Sequence, residues 1–86
     1  MRDEIMYVRN AHGEYKKIDI VISGNCAVKG CTNPASDESH VRKCKANGEL
    51  LSHNIYVVKM CTTHNRSKTD DVLELNADII PQPINP

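Results

Sequence analysis

A small α+β domain is what this chain of 86 residues predicts, and three observations point there. Asn47-Gly48 lies between two runs that favour strands, the strongest short hairpin signal in the chain. After Met60, "CTTHNRSK" loses β-branched apolar character and gains hydroxyl capping candidates in Thr62 and Thr63, as a short helix would. Cys26 and Cys31 flank a Gly-containing turn, and Cys61 and His64 follow at a spacing that suits one helix face.

Taken in order, "EIMYVR" and "YKKIDIVIS" flank "NAHGE", where Asn10 and Gly13 can host positive φ angles. Residues 1–24 therefore read as an N-terminal β-hairpin packed on the same domain. Ile18, Ile20 and Ile22 alternate with Asp19 and Val21, giving one apolar face. "GNCAVKGCTNPAS" is a turn, and "DESHVRKCK", "ANGE" and "LLSHNIYVVKM" form a second hairpin, with Ile55, Tyr56, Val57 and Val58 on its far arm. The helix after it has about two turns, too short to stand alone in water, so something must pin it. "VLEL" makes one more strand; residues 77–86, with three prolines in "IIPQPINP", read as an extended tail. Residues 25–76 are the core segment of a single domain without internal repeats.

Apolar residues make up 40% of the chain, yet Phe and Trp are absent and the aromatics are Tyr7, Tyr15 and Tyr56. A core of Ile, Val and Leu at this size commonly needs a disulfide or a metal as a staple. The sequence favours the metal. "MRDEIMYVRN" carries charges where a secretory signal needs an apolar run, and no stretch approaches membrane-spanning length. The expected compartment is the cytoplasm, where thiols stay reduced and closely spaced cysteines serve more often as ligands than as disulfides.

Gly30 lets the backbone fold tightly enough for the Cys26 and Cys31 sulfurs to face one point. Cys61 and His64, three apart on a helix, aim a thiolate and an imidazole at a shared site. Together the four make a closed tetrahedral set suited to structural Zn2+. Disulfide pairing and unligated thiols are the alternatives. Cys44 is the rival fourth thiol, but in "VRKCK" it falls within a strand, where cysteine usually acts as a small buried hydrophobe.

A knuckle, a hairpin and a helix carrying the last two ligands resemble a treble-clef zinc finger of the HNH type. The likeness rests on "CAVKGC", on "SHV" at Ser39 to Val41 and on "NIYVVKMCTTHN" at Asn54 to Asn65, about half of the chain. It is also similar to small bacterial and phage zinc-binding proteins of unassigned activity. In the nuclease members a first-strand His is the general base and its neighbour binds the catalytic ion. The resemblance thus makes His40 the base, oriented by Asn54, with Ser39 and Asn65 in the catalytic-ion positions and Asp37 and Glu38 nearby. Ser39 and Asn65 are both neutral and offer little to a hard cation, which prefers carboxylate oxygen. The plainer reading of His40 is a packed or hydrogen-bonded residue near the metal; His12 and His53 read as surface residues.

Eleven basic and eleven acidic residues cancel overall, but they segregate. From His40 to Lys68, Arg42, Lys43, Lys45, Lys59, Arg66 and Lys68 face a single acid, Glu49, whereas the last 18 residues hold four acids and no base. The sequence therefore points first to a non-catalytic, zinc-stabilised binding module whose basic hairpin and helix meet DNA, RNA or an acidic protein, without a membrane. The second reading is a small HNH-type endonuclease using His40; the third is a phage or host accessory protein acting by protein contact.

Overall fold

In the computed structural model, residues 5–13 and 24–84 are described. Five strands and one helical turn follow in the order β1 (Tyr7–Asn10), β2 (Asp37–Cys44), β3 (Tyr56–Met60), α1 (Thr62–Asn65), β4 (Val72–Glu74) and β5 (Gln82–Pro83). All strand pairs are antiparallel, and the spatial order is β4-β1-β2-β3-β5.

The Asn47-Gly48 signal produces the turn it predicts. Lys45 and Glu49 close it, with the Lys45 N–H donating to the Glu49 carbonyl and the Gly48 N–H to the Lys45 carbonyl, both at 2.8 Å. Gly48 takes φ +91°, a value that L side chains rarely adopt. Cys44 pairs with Leu50 beyond the turn, whereas further along β2 Val41 pairs with Tyr56. Between these two pairs β2 advances three residues and the second arm six, so the second arm carries extra residues and bows out over 51–55, as a bulge does.

Strand alternation and register sort the side chains of the sheet. One face collects Val8, Val41, Val58 and Met60, all at or below 4% exposure. Cys26, Ala27, Val28, Cys61 and Leu75 complete the buried cluster. The segment around the first two cysteines is fastened to the sheet by backbone bonds, from Ala27 N–H to the Lys59 carbonyl at 2.9 Å and from Lys29 N–H to the Glu74 carbonyl at 2.8 Å. Met60 is fully buried and is the largest such side chain, filling the place that a Phe would take in a richer core.

The expected α+β treble-clef architecture is not formed. The described residues form a five-stranded antiparallel sheet, and their helix is a single turn of four residues with no buried side chain. The physical reason is that 62–68 offers no apolar stripe for a second layer, and the chain already turns back at Ser67, whose N–H donates to the His64 carbonyl. The N-terminal hairpin fares differently from the central one. Its second arm, 15–23, lies outside the described residues, while over Tyr7–Arg9 both edges of the first arm are already taken, by β2 and β4. The C-terminal segment read as an extended tail contributes β5, with Pro83 on the outermost strand, where its missing N–H costs no ladder bond.

Candidate metal centre

Two short segments build the site. In the first, Cys26 N–H donates to the Asn33 carbonyl at 2.9 Å and Cys31 N–H to the Val28 carbonyl at 3.1 Å, curling the loop so that both sulfurs face inward. Gly30, at φ +81°, makes that curl possible. In the second, Cys61 stands at the N-cap of α1 with extended backbone, and its carbonyl accepts the Asn65 N–H at 2.9 Å. That turn carries His64 back over Cys61.

The ligand atoms of Cys26, Cys31, Cys61 and His64 all lie within 4.8 Å of one another. The Cys31 and Cys61 sulfurs are 3.9 Å apart, and His64 Nδ1 lies 3.3 Å from Cys61 Sγ and 3.5 Å from Cys26 Sγ. Ligand bonds of about 2.3 Å to sulfur and about 2.0–2.1 Å to nitrogen place tetrahedral corners roughly 3.5–3.8 Å apart. The three separations cluster round that edge length. All four cysteines are free thiols, and a sulfur pair at 3.9 Å is far beyond the disulfide bond length of about 2.05 Å. The four residues singled out by spacing are thus the four that the fold brings together, as in a zinc site.

Electrostatics differ among the thiols. The His64 backbone N–H, directed at Cys61, holds that thiol down at about 6 against the opposing effect of burial, with further help from the imidazole. Burial pushes Cys26 up to about 11, partly offset by backbone hydrogen bonds from Val28 and Cys61. An ion entering the cluster meets one sulfur already inclined to be a thiolate and one whose proton it must displace. Asn33 Nδ2 approaches Cys61 Sγ at 4.0 Å.

Cys44 stands apart from this set. It is 3% exposed, pairs with Tyr7 across the sheet, and burial raises its thiol above the ordinary value while Arg9 pulls it back.

The structure does not assemble the nuclease constellation. Ser39 and Asn65 do meet, with Ser39 Oγ donating to Asn65 Oδ1 at 2.6 Å, and Asn65 Nδ2 donates to Asp37 Oδ2 at 3.0 Å. These three polar side chains satisfy one another between β2 and α1. His40 is one residue on from Ser39 along the strand and so projects from the opposite face, where its Nε2 lies 3.4 Å from Glu38 Oε2. Asn54, its expected orienting partner, is exposed in the bowed loop, its N–H on Ser52 Oγ at 3.3 Å. Nor do the six basic residues share a surface. Alternation puts Arg42 and Lys59 on the His40 face and Lys43 on the other, where its Nζ sits 4.2 Å over the Tyr56 ring. Lys45 is engaged by Glu49 at 3.5 Å, and Arg66 and Lys68 are exposed beyond α1. His12 and His53 are exposed, as expected of surface residues.

One residue that spacing did not single out holds the ligand turn in place. Asn10 is 3% exposed, and its Nδ2 donates to the His64 carbonyl at 2.8 Å, with the Ser67 and Asn65 carbonyls at 3.2 and 3.4 Å. It satisfies the C-terminal carbonyls that a helix leaves without internal partners. Its partners lie 54–57 residues away, so no local pattern could reveal it; in sequence it is one more turn-forming Asn.

No known protein family, curated protein or solved structure matches the chain, so the likeness to HNH and treble-clef domains rests on its motif alone. Among the described residues, no helix is long and apolar enough to cross a membrane.

Proposed function

We propose that this protein is a zinc-stabilised, non-catalytic binding module, in which Cys26, Cys31, Cys61 and His64 hold one structural Zn2+. The observation that carries the reading is that three sulfurs and one imidazole nitrogen lie within 4.8 Å of one another, with three of their separations at 3.3, 3.5 and 3.9 Å. Soft thiolates with one imidazole favour Zn2+ over the hard cations that carboxylates select. Four protein ligands leave no open position for a reacting water, so the ion's role is to fasten the cysteine loop and α1 to the sheet. Nδ1 ligation leaves Nε2 carrying the imidazole proton.

The partner class that suits the basic excess between His40 and Lys68 is nucleic acid, met by whichever part of that excess each face presents. Elemental analysis of purified protein is expected to give one zinc per chain, and chelation to abolish the folded signal. Folded, metal-free protein would overturn the reading. Binding to duplex DNA through several phosphates is expected to weaken steeply with salt. Salt-insensitive binding to an acidic protein instead would retain the module and replace the partner.

A further inference from the structure

We propose that the Cys31 and Cys61 sulfurs form an oxidation site, which a peroxide closes into a disulfide so that the cluster gives up its ion. This modification rests on the zinc reading above and adds to it a way of undoing the site without cutting the chain.

Geometry and exposure single out this pair. Cys31 Sγ and Cys61 Sγ are 3.9 Å apart, so closing them to the disulfide length of about 2.05 Å asks each sulfur for about 1 Å of movement. Cys31 is half-buried, whereas Cys26 and Cys61 are 0% and 4% exposed. Gly30 and Thr32 on either side of Cys31 are exposed, and a Cβ added at Gly30 would meet nothing within 4 Å. A small oxidant therefore reaches Cys31 first, from the open side of the loop. Cys44 lies outside the group of four, buried in β2.

The chemistry needs no base from the protein, because metal ligation keeps the sulfurs as thiolates, the nucleophilic form. The Cys31 thiolate attacks one oxygen of hydrogen peroxide and the O–O bond breaks. The leaving oxygen takes a proton from solvent and departs as water, and Cys31 becomes a sulfenic acid. The Cys61 thiolate then attacks the Cys31 sulfur; the S–S bond forms, the S–O bond breaks, and the expelled hydroxide takes a second proton. Two electrons pass from the sulfur pair to the peroxide, which ends as two waters. Cys26 and His64 remain as two ligands of a four-coordinate site, too few to hold Zn2+. The new bond joins positions 30 apart, so it ties the cysteine loop to the start of α1 by a covalent link where the ion had tied it by ligation.

The test adds hydrogen peroxide stepwise to the zinc-loaded protein, with a chromogenic chelator reporting free zinc and with intact mass and peptide mapping reporting the thiols. Expected are the loss of one zinc and of two of the four thiols per chain, a mass lower by two hydrogens, and Cys31 linked to Cys61. A dithiol reductant followed by zinc is expected to restore the loaded form. Cys44→Ser, which touches no cluster ligand, is expected to lose zinc at the same peroxide dose as the parent. Zinc retained at excess peroxide, oxygen gained in place of hydrogen lost, or a link through Cys26 or Cys44 would overturn the proposal. Protein that is folded but zinc-free before any peroxide is added would defeat the metal reading alone, and mapping of the oxidised chain would still decide whether Cys31 and Cys61 are the pair.

Discussion

The two ends of β2 are held in different ways. At the Cys44 end the chain turns through Lys45 to Glu49 and closes with bonds among those five residues, supplemented by the Asn47 Oδ1 that accepts the Glu49 N–H at 2.9 Å. At the Asp37 end, Ser36 N–H reaches the Met60 carbonyl at 3.0 Å, and Asp37 and Ser39 meet Asn65 of α1. Beyond the ladder bonds to β3, the side-chain contacts there depend on a helix of one turn, and one turn fixes several dihedrals for few hydrogen bonds. Local sequence can shape the turn end unaided, whereas the clasp end must draw its stability from outside the local chain. The proposed ion on the Cys26, Cys31, Cys61 and His64 cluster would be such a source.

The largest expected effect comes from removing the proposed ion. Structural Zn2+ contributes on the order of 10–16 kcal/mol in small finger peptides, comparable with or larger than the whole stability of about 5–15 kcal/mol expected of a domain. Cys26→Ser and Cys61→Ser are therefore expected to lose both zinc and cooperative unfolding, as read by elemental analysis and thermal circular dichroism. Cys44→Ser is expected to keep the zinc. A Cys61→Ser protein that melts like the parent would refute the asymmetry.

The second largest effect is on pH dependence. The sign for Cys61 follows from its depressed value: stability tied to its thiolate is present above the ordinary 9.0 and is lost as pH falls through about 6. Cys26 goes the other way, so its protonated form is favoured up to about 11 and a metal must displace that proton. Zinc affinity is thus expected to rise by at least about ten-fold per pH unit between about 6 and 9 from the Cys26 proton alone. Competition titration with a chelator of known affinity at several pH values measures the slope. A flat profile over that range would show that Cys26 is not a ligand.

How much of this was visible in the sequence follows the same division. The turn at Asn47-Gly48, strands at 37–44 and 56–60, and the strand at 72–74 were legible because their signals lie within a few residues of the structure they specify. The four cluster residues were legible because metal ligands carry a fixed spacing. The sheet order was not, since β1 finds β2 31 to 37 residues away and β4 63 to 67 residues away, and a strand's partner leaves no mark on its own composition. The same blindness produced the treble-clef expectation. Ligand spacing showed that Cys61 and His64 share a turn, but not that the helix would stop there.

Asn10→Ala probes the clasp end without touching a ligand. It removes the donor shared by three carbonyls of the ligand turn, and because the His64 carbonyl keeps the Ser67 N–H and the Ser67 carbonyl keeps His12 Nε2, the expected cost is that of an ordinary hydrogen bond, about 0.5–1.5 kcal/mol. Urea unfolding of the zinc-loaded protein measures the loss, and zinc affinity is expected to fall with it. An unchanged affinity would mean that the ion, not Asn10, positions His64.

The smallest effect separates the two ends most cleanly. Gly30 and Gly48 both require positive φ, at +81° and +91°, so alanine at either should cost about 1–2 kcal/mol of backbone strain. Around Gly30 an added Cβ meets nothing within 4 Å, and at Gly48 it meets Val72 Cγ2 at 3.4 Å, an ordinary contact. Sterics are therefore nearly equal, and the difference between the variants lies in what each loop supports. Gly30→Ala strains the loop that aims Cys26 and Cys31, so its cost is expected to appear as weaker zinc binding as well as a lower urea midpoint. Gly48→Ala is expected to lower the midpoint by a similar amount while zinc affinity stays at the parent value. If Gly48→Ala weakened zinc binding as much as Gly30→Ala, the turn and the clasp would be one cooperative unit, and β2 would transmit strain from end to end.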